Sequence, residues 1–417
     1  MTVCSDIADY EWLTGEEACG LLNELAEDSG PLHTAVARLR AHFSRERTHL
    51  LIDQVELRRR AVAKFTRAQS MFFTRVGLEQ ATDEWVAAYK AARFASQRAG
   101  SSPTPAVADL CCGIGGDLLG LTGQGPAVGV DRDLIAAHFA AVNTGTVVHM
   151  ADVERFDVAD FAAWHIDPDR RPGGRRTTSV QFCQPDAAFI EQLLARAPHA
   201  GIKLAPATNV PEHWVEQCEL EWISRNRECR QLVAWHGDLA QAPGRRRATV
   251  LVGANGVASR TVIGLANQPI PIAEHVDRYI FDIDPAVLAA GLKGVLAAEH
   301  SLCALGAGPT YLTGPRPNND DALASFEVAD VLPLKTHQLA RYLGERAIGQ
   351  LEIKKRGVDI DPEKLRRDLK LRGDNSTTLL ITHFAGRPIA ILAHRASPTP
   401  TRPIKPLLES KTSQPSD

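Results

Sequence analysis

"VADLCCGIGGD", Val107 to Asp117, decides the fold. A short apolar run carries one acid, Asp109, and breaks into glycines at Gly113, Gly115 and Gly116, after which "DLLGL" starts a helix. Strand, glycine turn, helix is the local order of a nucleotide-binding loop, because the helix start presents free N–H groups. Glycines allow the tight turn and the close approach of a ligand to the backbone. The dinucleotide pattern Gly-x-Gly-x-x-Gly nevertheless fails. Counted from Gly113 and Gly115, the third glycine falls at Leu118. A diphosphate on the helix start is therefore poorly served, and Asp109 beside the loop favours an uncharged or cationic ligand.

Outward from this loop the chain reads as α/β. "AVGVD" (127–131), "TVVHMAD" (146–152), "AAWHID" (162–167) and "GIKLAP" (201–206) are strand-like, with "DLIAAHFAAVN" (133–143) and "DAAFIEQLLARA" (186–197) as helices among them. Such alternation predicts a parallel sheet with helices on both faces. "ELEWIS", "CRQLVAWH" and "ATVLV" are expected to close the sheet with antiparallel strands. Acids mark the strand ends: Asp109, Asp131, Asp152 and Asp167. An aspartate there also suits turns and helix caps. Four at successive strand ends beside a glycine loop point instead to a site, since open α/β sheets bind ligands outside those ends. Asp131 is placed to accept both hydroxyls of a ribose, and Asp152 to reach an adenine amino group.

The rest of the chain sets the bounds. At 417 residues two to four domains are expected. A net charge of −3 advertises no polyanionic partner for the whole chain, but charge is local. Residues 1–102 read as an N-terminal helical domain. Between Arg38 and Arg75 ten Arg/Lys face three acids, a net of +7, which is either a solvated face or a phosphate-tracking surface. "RAGSSPTP" (98–105) is a linker. From Lys335 to Arg395 thirteen Arg/Lys face seven acids, a net of +6. The Pro/Ser/Thr-rich segment 397–417 is expected to be a disordered tail. The eight cysteines show no Cys-x-x-Cys pair, so no metal site is expected. Reduced cysteines, no apparent signal peptide and no apolar run long enough for a bilayer lead to the expectation of a cytoplasmic protein without a membrane partner. Cys111 and Cys112 are read as packing residues at a buried strand end.

"VADLCCGIGGD", "VGVD", "MAD" and "IDPDRR" resemble the first four motifs of class I S-adenosylmethionine-dependent methyltransferases. The glycine loop and "TRVGLEQATDEWVAAYKAARFA" (74–95) are similar to the RNA cap trimethylguanosine synthases. The chain as a whole is more similar to bacterial methyltransferases with a THUMP-like C-terminal domain. The resemblance implies a Rossmann-like sheet over 103–268, a small ferredoxin-like module over 269–318 and a THUMP-like domain over 325–396, with S-adenosylmethionine as cofactor. It implies that Asp109, Cys111, Gly113 and Gly115 line the methionine side, that Asp131 holds the ribose and that Asp152 with Val153 frames the adenine. Asp167 and Pro168 would face the acceptor.

The fourth motif departs from the family. Enzymes that methylate amines on bases usually follow Asp/Asn-Pro-Pro with an aromatic that stacks on the base. Here Asp167-Pro168 runs into Asp169-Arg170-Arg171. A guanidinium plane can stack instead. Arg170, Arg171, Arg175 and Arg176 share one Gly/Pro loop, which is either a surface loop or a phosphate clamp on an RNA substrate. Because THUMP domains bind RNA, the expected reaction is methyl transfer to a base in tRNA or another structured RNA. The alternatives are a different acceptor, or an RNA-binding protein that keeps the cofactor fold without catalysis.

Overall fold

The computed structural model describes residues 7–28, 30–96, 105–170, 178–253 and 257–396. Arg171, Arg175, Arg176 and the segment 397–417 lie outside the described residues. The chain forms two units, one of residues up to 270 with 283–300, the other of 271–282 with residues from 301 onward.

In the first unit, six helices precede the sheet: α1 (Ile7–Leu13), α2 (Glu16–Glu27), α3 (Leu32–Arg40), α4 (Arg45–Ala61), α5 (Arg75–Gln80) and α6 (Glu84–Ala95). Side chains from three of them cap their starts: Ser44 Oγ accepts from Arg47 N–H, Thr74 Oγ1 from Gly77 N–H and an Asp83 carboxylate oxygen from Val86 N–H. The sheet follows with β1 (Val107–Leu110), α7 (Gly116–Thr122), β2 (Ala127–Asp131), α8 (Leu134–Thr144), β3 (Val148–Met150), β4 (Ala163–Ile166), α9 (Ala187–Arg196), β5 (Ala200–Leu204), α10 (Glu212–Gln217), β6 (Glu219–Arg225), β7 (Glu228–His236), β8 (Arg246–Leu251) and β9 (Ala258–Gly264).

The nine strands lie in the order β3-β2-β1-β4-β5-β7-β6-β8-β9. From β3 to β5 every pair is parallel. β7 is antiparallel to both β5 and β6, β8 runs parallel to β6, and β9 returns antiparallel. The chain winds outward from β1 to β3 and then crosses back to place β4 on the other side of β1. That reversal opens a crevice at the carboxyl ends of β1 and β4, where such sheets bind ligands. The glycine loop sits at this point.

The N-terminal helices share their core with the sheet. Leu13, Leu51, Leu57, Phe65 and Phe73 pack in one cluster with Ile114 of the glycine loop and Phe139 of α8. Each such fully buried side chain contributes about 1.5–3 kcal/mol. Asn143 pins the junction. Its Nδ2 donates to the carbonyls of Phe72 (2.9 Å) and Ile114 (3.0 Å), and its Oδ1 accepts from Phe72 N–H (2.8 Å). A methyl on Gly120 would meet the Ala87 backbone at 2.6 Å, so α6 and α7 touch closely. The helices are thus a wall of the same unit as the sheet, where composition suggested a separate domain.

The second unit holds a seven-stranded sheet in the order β11-β12-β10-β13-β16-β15-β14. Its strands are β10 (Tyr279–Ile283), β11 (Cys303–Ala304), β12 (Leu312–Gly314), β13 (Leu323–Pro333), β14 (Ile348–Lys355), β15 (Asn375–Phe384) and β16 (Arg387–Arg395). Two helices, α13 (Thr336–Glu345) and α14 (Pro362–Leu369), cover it. β15 and β16 form a hairpin at Ala385-Gly386, with positive φ at both residues (49° and 74°) as a primed turn requires. The segment 269–318 does not stand apart as a module. β10 lies beside β13 in this sheet, while the helices α11 (Pro285–Ala289) and α12 (Lys293–Glu299) belong with the first unit.

Candidate active site

A cavity of about 650 Å³ opens at the β1/β4 switch point. Asp109, Cys111, Gly113, Asp131, Asp152, Val153, Asp167, Pro168 and Arg170 all line it. Nine residues chosen for their place in the chain therefore face one space. Gly115 is outside the lining. At φ 87° it turns the loop into α7, and a methyl there would meet Thr144 Cγ2 at 2.9 Å and the Ala140 backbone at 3.3 Å. Its role is to let the loop lie against α8.

Each strand end sets its residue. At the end of β2, Asp131 Oδ2 accepts from Gly113 N–H (2.8 Å) and Oδ1 from Asp133 N–H (2.9 Å). Burial, opposed by these two hydrogen bonds, holds the Asp131 carboxyl above the usual carboxylate range. Gly113 stands at φ 57°, and a methyl placed on it would find nothing within 4 Å. Its bare Cα faces open space, where a ligand can approach the backbone. Asp152 caps a short 3-10 turn, with Oδ1 accepting from Glu154 N–H at 3.1 Å. Cys111 occupies a left-handed conformation at φ 56°. Burial first, and then Asp131 beside Cys111 and Asp109 beside Cys112, push both thiols well above their ordinary range. Neither is a thiolate nucleophile at neutral pH.

Behind the loop lies a buried polar chain. Asp109 Oδ1 is 2.7 Å from His165 Nδ1, and His165 Nε2 is 3.1 Å from Lys90 Nζ. An ammonium has donors only, so Nε2 accepts and Nδ1–H donates to Asp109. Lys90 Nζ is also 2.6 Å from Asp117 Oδ1. Asp117 Oδ2 accepts from Thr82 Oγ1 (2.7 Å) and lies 3.6 Å from Lys203 Nζ. Lys203 Nζ closes the chain at 2.5 Å from Asp167 Oδ2. Burial raises Asp117, but Lys90, His165 and Lys203 outweigh it and hold the carboxyl below the usual range. Burial raises Asp109 above that range, against His165. Burial likewise lowers Lys90, whereas Asp167 and Asp117 overcome burial at Lys203 and raise it.

Of this chain only Asp109 and Asp167 stand out in the sequence as site residues. His165 is buried at 1% exposure. The signal for Lys203 was available: it is the one charged residue in a strand whose five positions are all buried. Lys90 falls on the apolar face of α6, with Val86, Ala87 and Phe94.

The residues fit a cationic cofactor. Asp109 Oδ2 is buried with no hydrogen-bond partner among the described residues, and a carboxylate oxygen in that position is costly unless a donor reaches it. Gly113 leaves the backbone open beside it, and Asp131 is held rigid by two N–H groups. S-adenosylmethionine carries an ammonium, a ribose diol and a sulfonium that match this set.

Comparison with known proteins agrees. The THUMP domain-like family profile matches residues 323–395, the stretch from β13 to β16. A protein of Mycobacterium tuberculosis named as an uncharacterised S-adenosylmethionine-dependent methyltransferase, found in two strains, is 32% identical over 359 residues, which is 83% of this chain and 95% of that one. The crystal structure of a Porphyromonas gingivalis W83 protein classed as a methyltransferase has the same fold, with a TM-score of 0.72 at 20% identity over 95% of this chain and 100% of that one. With a cofactor cavity at the switch point of its sheet and that kinship along most of its length, the chain belongs to the S-adenosylmethionine-dependent methyltransferases.

Proposed function

We propose that the acceptor is a base in structured RNA, methylated on nitrogen. Arg170 carries this reading: it lines the cavity beside Asp167 and Pro168, and its Nη1 is buried with no hydrogen-bond partner among the described residues. A buried guanidinium nitrogen there can donate to a phosphate oxygen or a base edge. The THUMP-like domain supports the same direction, since THUMP domains are RNA-binding modules.

In this reading Asp109 and Gly113 hold the methionine end of the cofactor, Asp131 the ribose, and Asp152 with Val153 the adenine. Bound there, the cofactor supplies a methyl group already activated on sulfur. The protein's share is alignment and exclusion of water. Asp167 accepts a hydrogen bond from the acceptor N–H and turns the nitrogen lone pair toward the methyl carbon. Pro168 stiffens the turn. Arg170 takes the place of the missing aromatic by stacking on the base or binding its phosphate, and Arg171, Arg175 and Arg176, which follow it in the sequence, add basic charge for the same RNA.

Nucleoside mass spectrometry of total RNA from cells with and without the gene tests this. One methylated nucleoside is expected to disappear with the gene and to stay absent when Asp167→Ala is supplied. Identical nucleoside profiles would exclude RNA as the acceptor.

A further inference from the structure

The cavity wall contains a residue that the cofactor and acceptor roles leave unused. Lys203 is 8% exposed, in the fully buried strand β5. Its ammonium meets Asp167 Oδ2 at 2.5 Å, the Gln80 carbonyl at 3.4 Å and Asp117 Oδ2 at 3.6 Å. Two donors are taken by hydrogen bonds to Asp167 and the Gln80 carbonyl, and Asp117 stands at ion-pair distance. The ammonium is held hardest against Asp167, so Lys203 acts through that carboxylate. Lys203 holds the carboxylate at Oδ2, and the main chain beneath it is held where the Asp167 N–H donates to the Leu110 carbonyl at 3.2 Å.

We infer that Lys203 is the positioning residue of the acceptor site, and that by pinning and neutralising Asp167 it makes the site take a neutral amine, the exocyclic amine of a heteroaromatic base, and refuse an ammonium. The inference rests on Asp167 as the acceptor-side carboxylate. A methyl acceptor must present a lone pair, and an alkylammonium has none. An unpaired buried carboxylate would stabilise the ammonium and keep it protonated. Paired with Lys203, Asp167 still accepts an N–H but exerts little net field on a cation. The charges packed around the pair reinforce this balance: Asp117 from α7, Lys90 from α6, Asp109 from β1, with His165 from β4, and Arg170 on the cavity wall. As the acceptor nitrogen bonds the methyl carbon, the carbon–sulfur bond breaks with its electron pair on sulfur. The nitrogen sheds one proton to the Asp167 carboxylate, and from there to water.

The test uses the full chain and two readouts. First, methyl transfer from labelled S-adenosylmethionine is measured on bulk RNA from cells lacking the gene, and on Nα-acetyl-lysine amide. Lys203→Met should lower kcat on RNA by about 10- to 100-fold, with cofactor affinity by calorimetry within about twofold and Lys203→Arg recovering part of the loss. The lysine compound should stay unlabelled. Unchanged kcat in Lys203→Met, or labelling of the lysine compound as fast as RNA, would overturn the proposal. Second, the lysine 13Cε signals are titrated with no acceptor present. Asp167→Asn should move the Lys203 titration to lower pH by about one unit or more, since a neighbouring carboxylate is then lost. An unmoved titration overturns the pairing, whatever RNA does. A coupled titration in a protein that labels no RNA supports the pairing and counts against RNA alone.

Discussion

The first unit buries two charged clusters, and they differ in how they end. On β6, Glu219 and Glu221 are fully buried and face Arg93 of α6 and Arg247 of β8. Glu219 also accepts from the N–H groups of Gln241 (2.8 Å) and Ala242 (3.1 Å). Glu221 accepts from Tyr89 Oη (2.6 Å), Trp235 Nε1 (2.8 Å) and Thr249 Oγ1 (2.5 Å). Two carboxylates meet two guanidiniums and every carboxylate oxygen has a donor. At the cavity, Asp109, Asp117 and Asp167 meet only Lys90 and Lys203, with His165 between. In that cluster Asp109 Oδ2 has no donor among the described residues. A saturated, balanced cluster is an internal clamp. An unsaturated one open to a cavity is completed by a ligand, here one that brings an N–H donor.

Breaking the closed cluster should have the largest effect. Glu219→Gln leaves Arg93 and Arg247 short of a counter-charge in a dry site, and removing one partner of a buried ion pair costs about 3–5 kcal/mol. Urea unfolding should show that loss in full. Calorimetry on the folded variant should show cofactor affinity within about twofold of the parent, because nothing in this cluster lines the cavity. A selective loss of cofactor binding with stability intact would erase the distinction between the clusters.

The open cluster should behave in the opposite way. Asp109→Asn is expected to weaken S-adenosylmethionine binding by about 1.5–3 kcal/mol, the worth of a hydrogen bond to a charged group, or roughly 10- to 150-fold. It should not weaken the fold at neutral pH. Burial raises the Asp109 carboxyl above its unfolded value. Between those two values the native state keeps a proton that the unfolded chain has lost, so this residue's contribution falls as pH rises through the window. Asn removes that fall. Its urea midpoint should gain on the parent from pH 4.5 to pH 8. Asp117 has the other sign, because Lys90, His165 and Lys203 outweigh burial and lower its carboxyl. Its stabilisation is present above the unfolded carboxylate value, near pH ~4, and is lost as pH falls below it. Asp117→Asn should therefore cost more at pH 8 than at pH 3. Equal midpoint shifts at the two pH values would contradict both assignments.

The two clusters also differ in how they can be read. Asp109, Asp131, Asp152 and Asp167 are legible because each ends a strand near a glycine turn, a local pattern with a local cause. The parallel pairing of the first five strands follows from the same alternation. Neither cluster's cations are legible that way. Lys90 and Arg93 sit three residues apart on α6, yet one meets Asp117 and the other Glu219, over a hundred positions downstream. Their partners are settled only when α6 docks on the sheet. Lys203 in an apolar strand signals a buried partner without naming it. The N-terminal helices read as a separate domain because their periodicity is complete in itself. Only Ile114 and Phe139 in their core reveal that it is shared.

The smallest expected effect lies in the glycine loop, between two cysteines that look alike in sequence. Cys111 holds φ 56°, in the left-handed region, whereas Cys112 is buried and has no such φ. An L-residue in that region costs about 1–2 kcal/mol relative to glycine, and glycine returns about 0.5–1 kcal/mol of it as extra freedom in the unfolded chain. Cys111 is half-buried as a residue but its thiol is buried, so lost packing takes back part of this gain. Cys111→Gly should thus leave stability unchanged or raise it by up to about 1 kcal/mol. Cys112 packs under β2, where a methyl on Gly129 would come within 3.1 Å of its sulfur. Cys112→Gly loses that contact, relieves no strain, and should cost about 1–2 kcal/mol. Paired urea curves settle the sign. If both substitutions destabilise equally, the loop is held by the cysteine side chains, and the strain assigned to Cys111 is offset by contacts at its thiol.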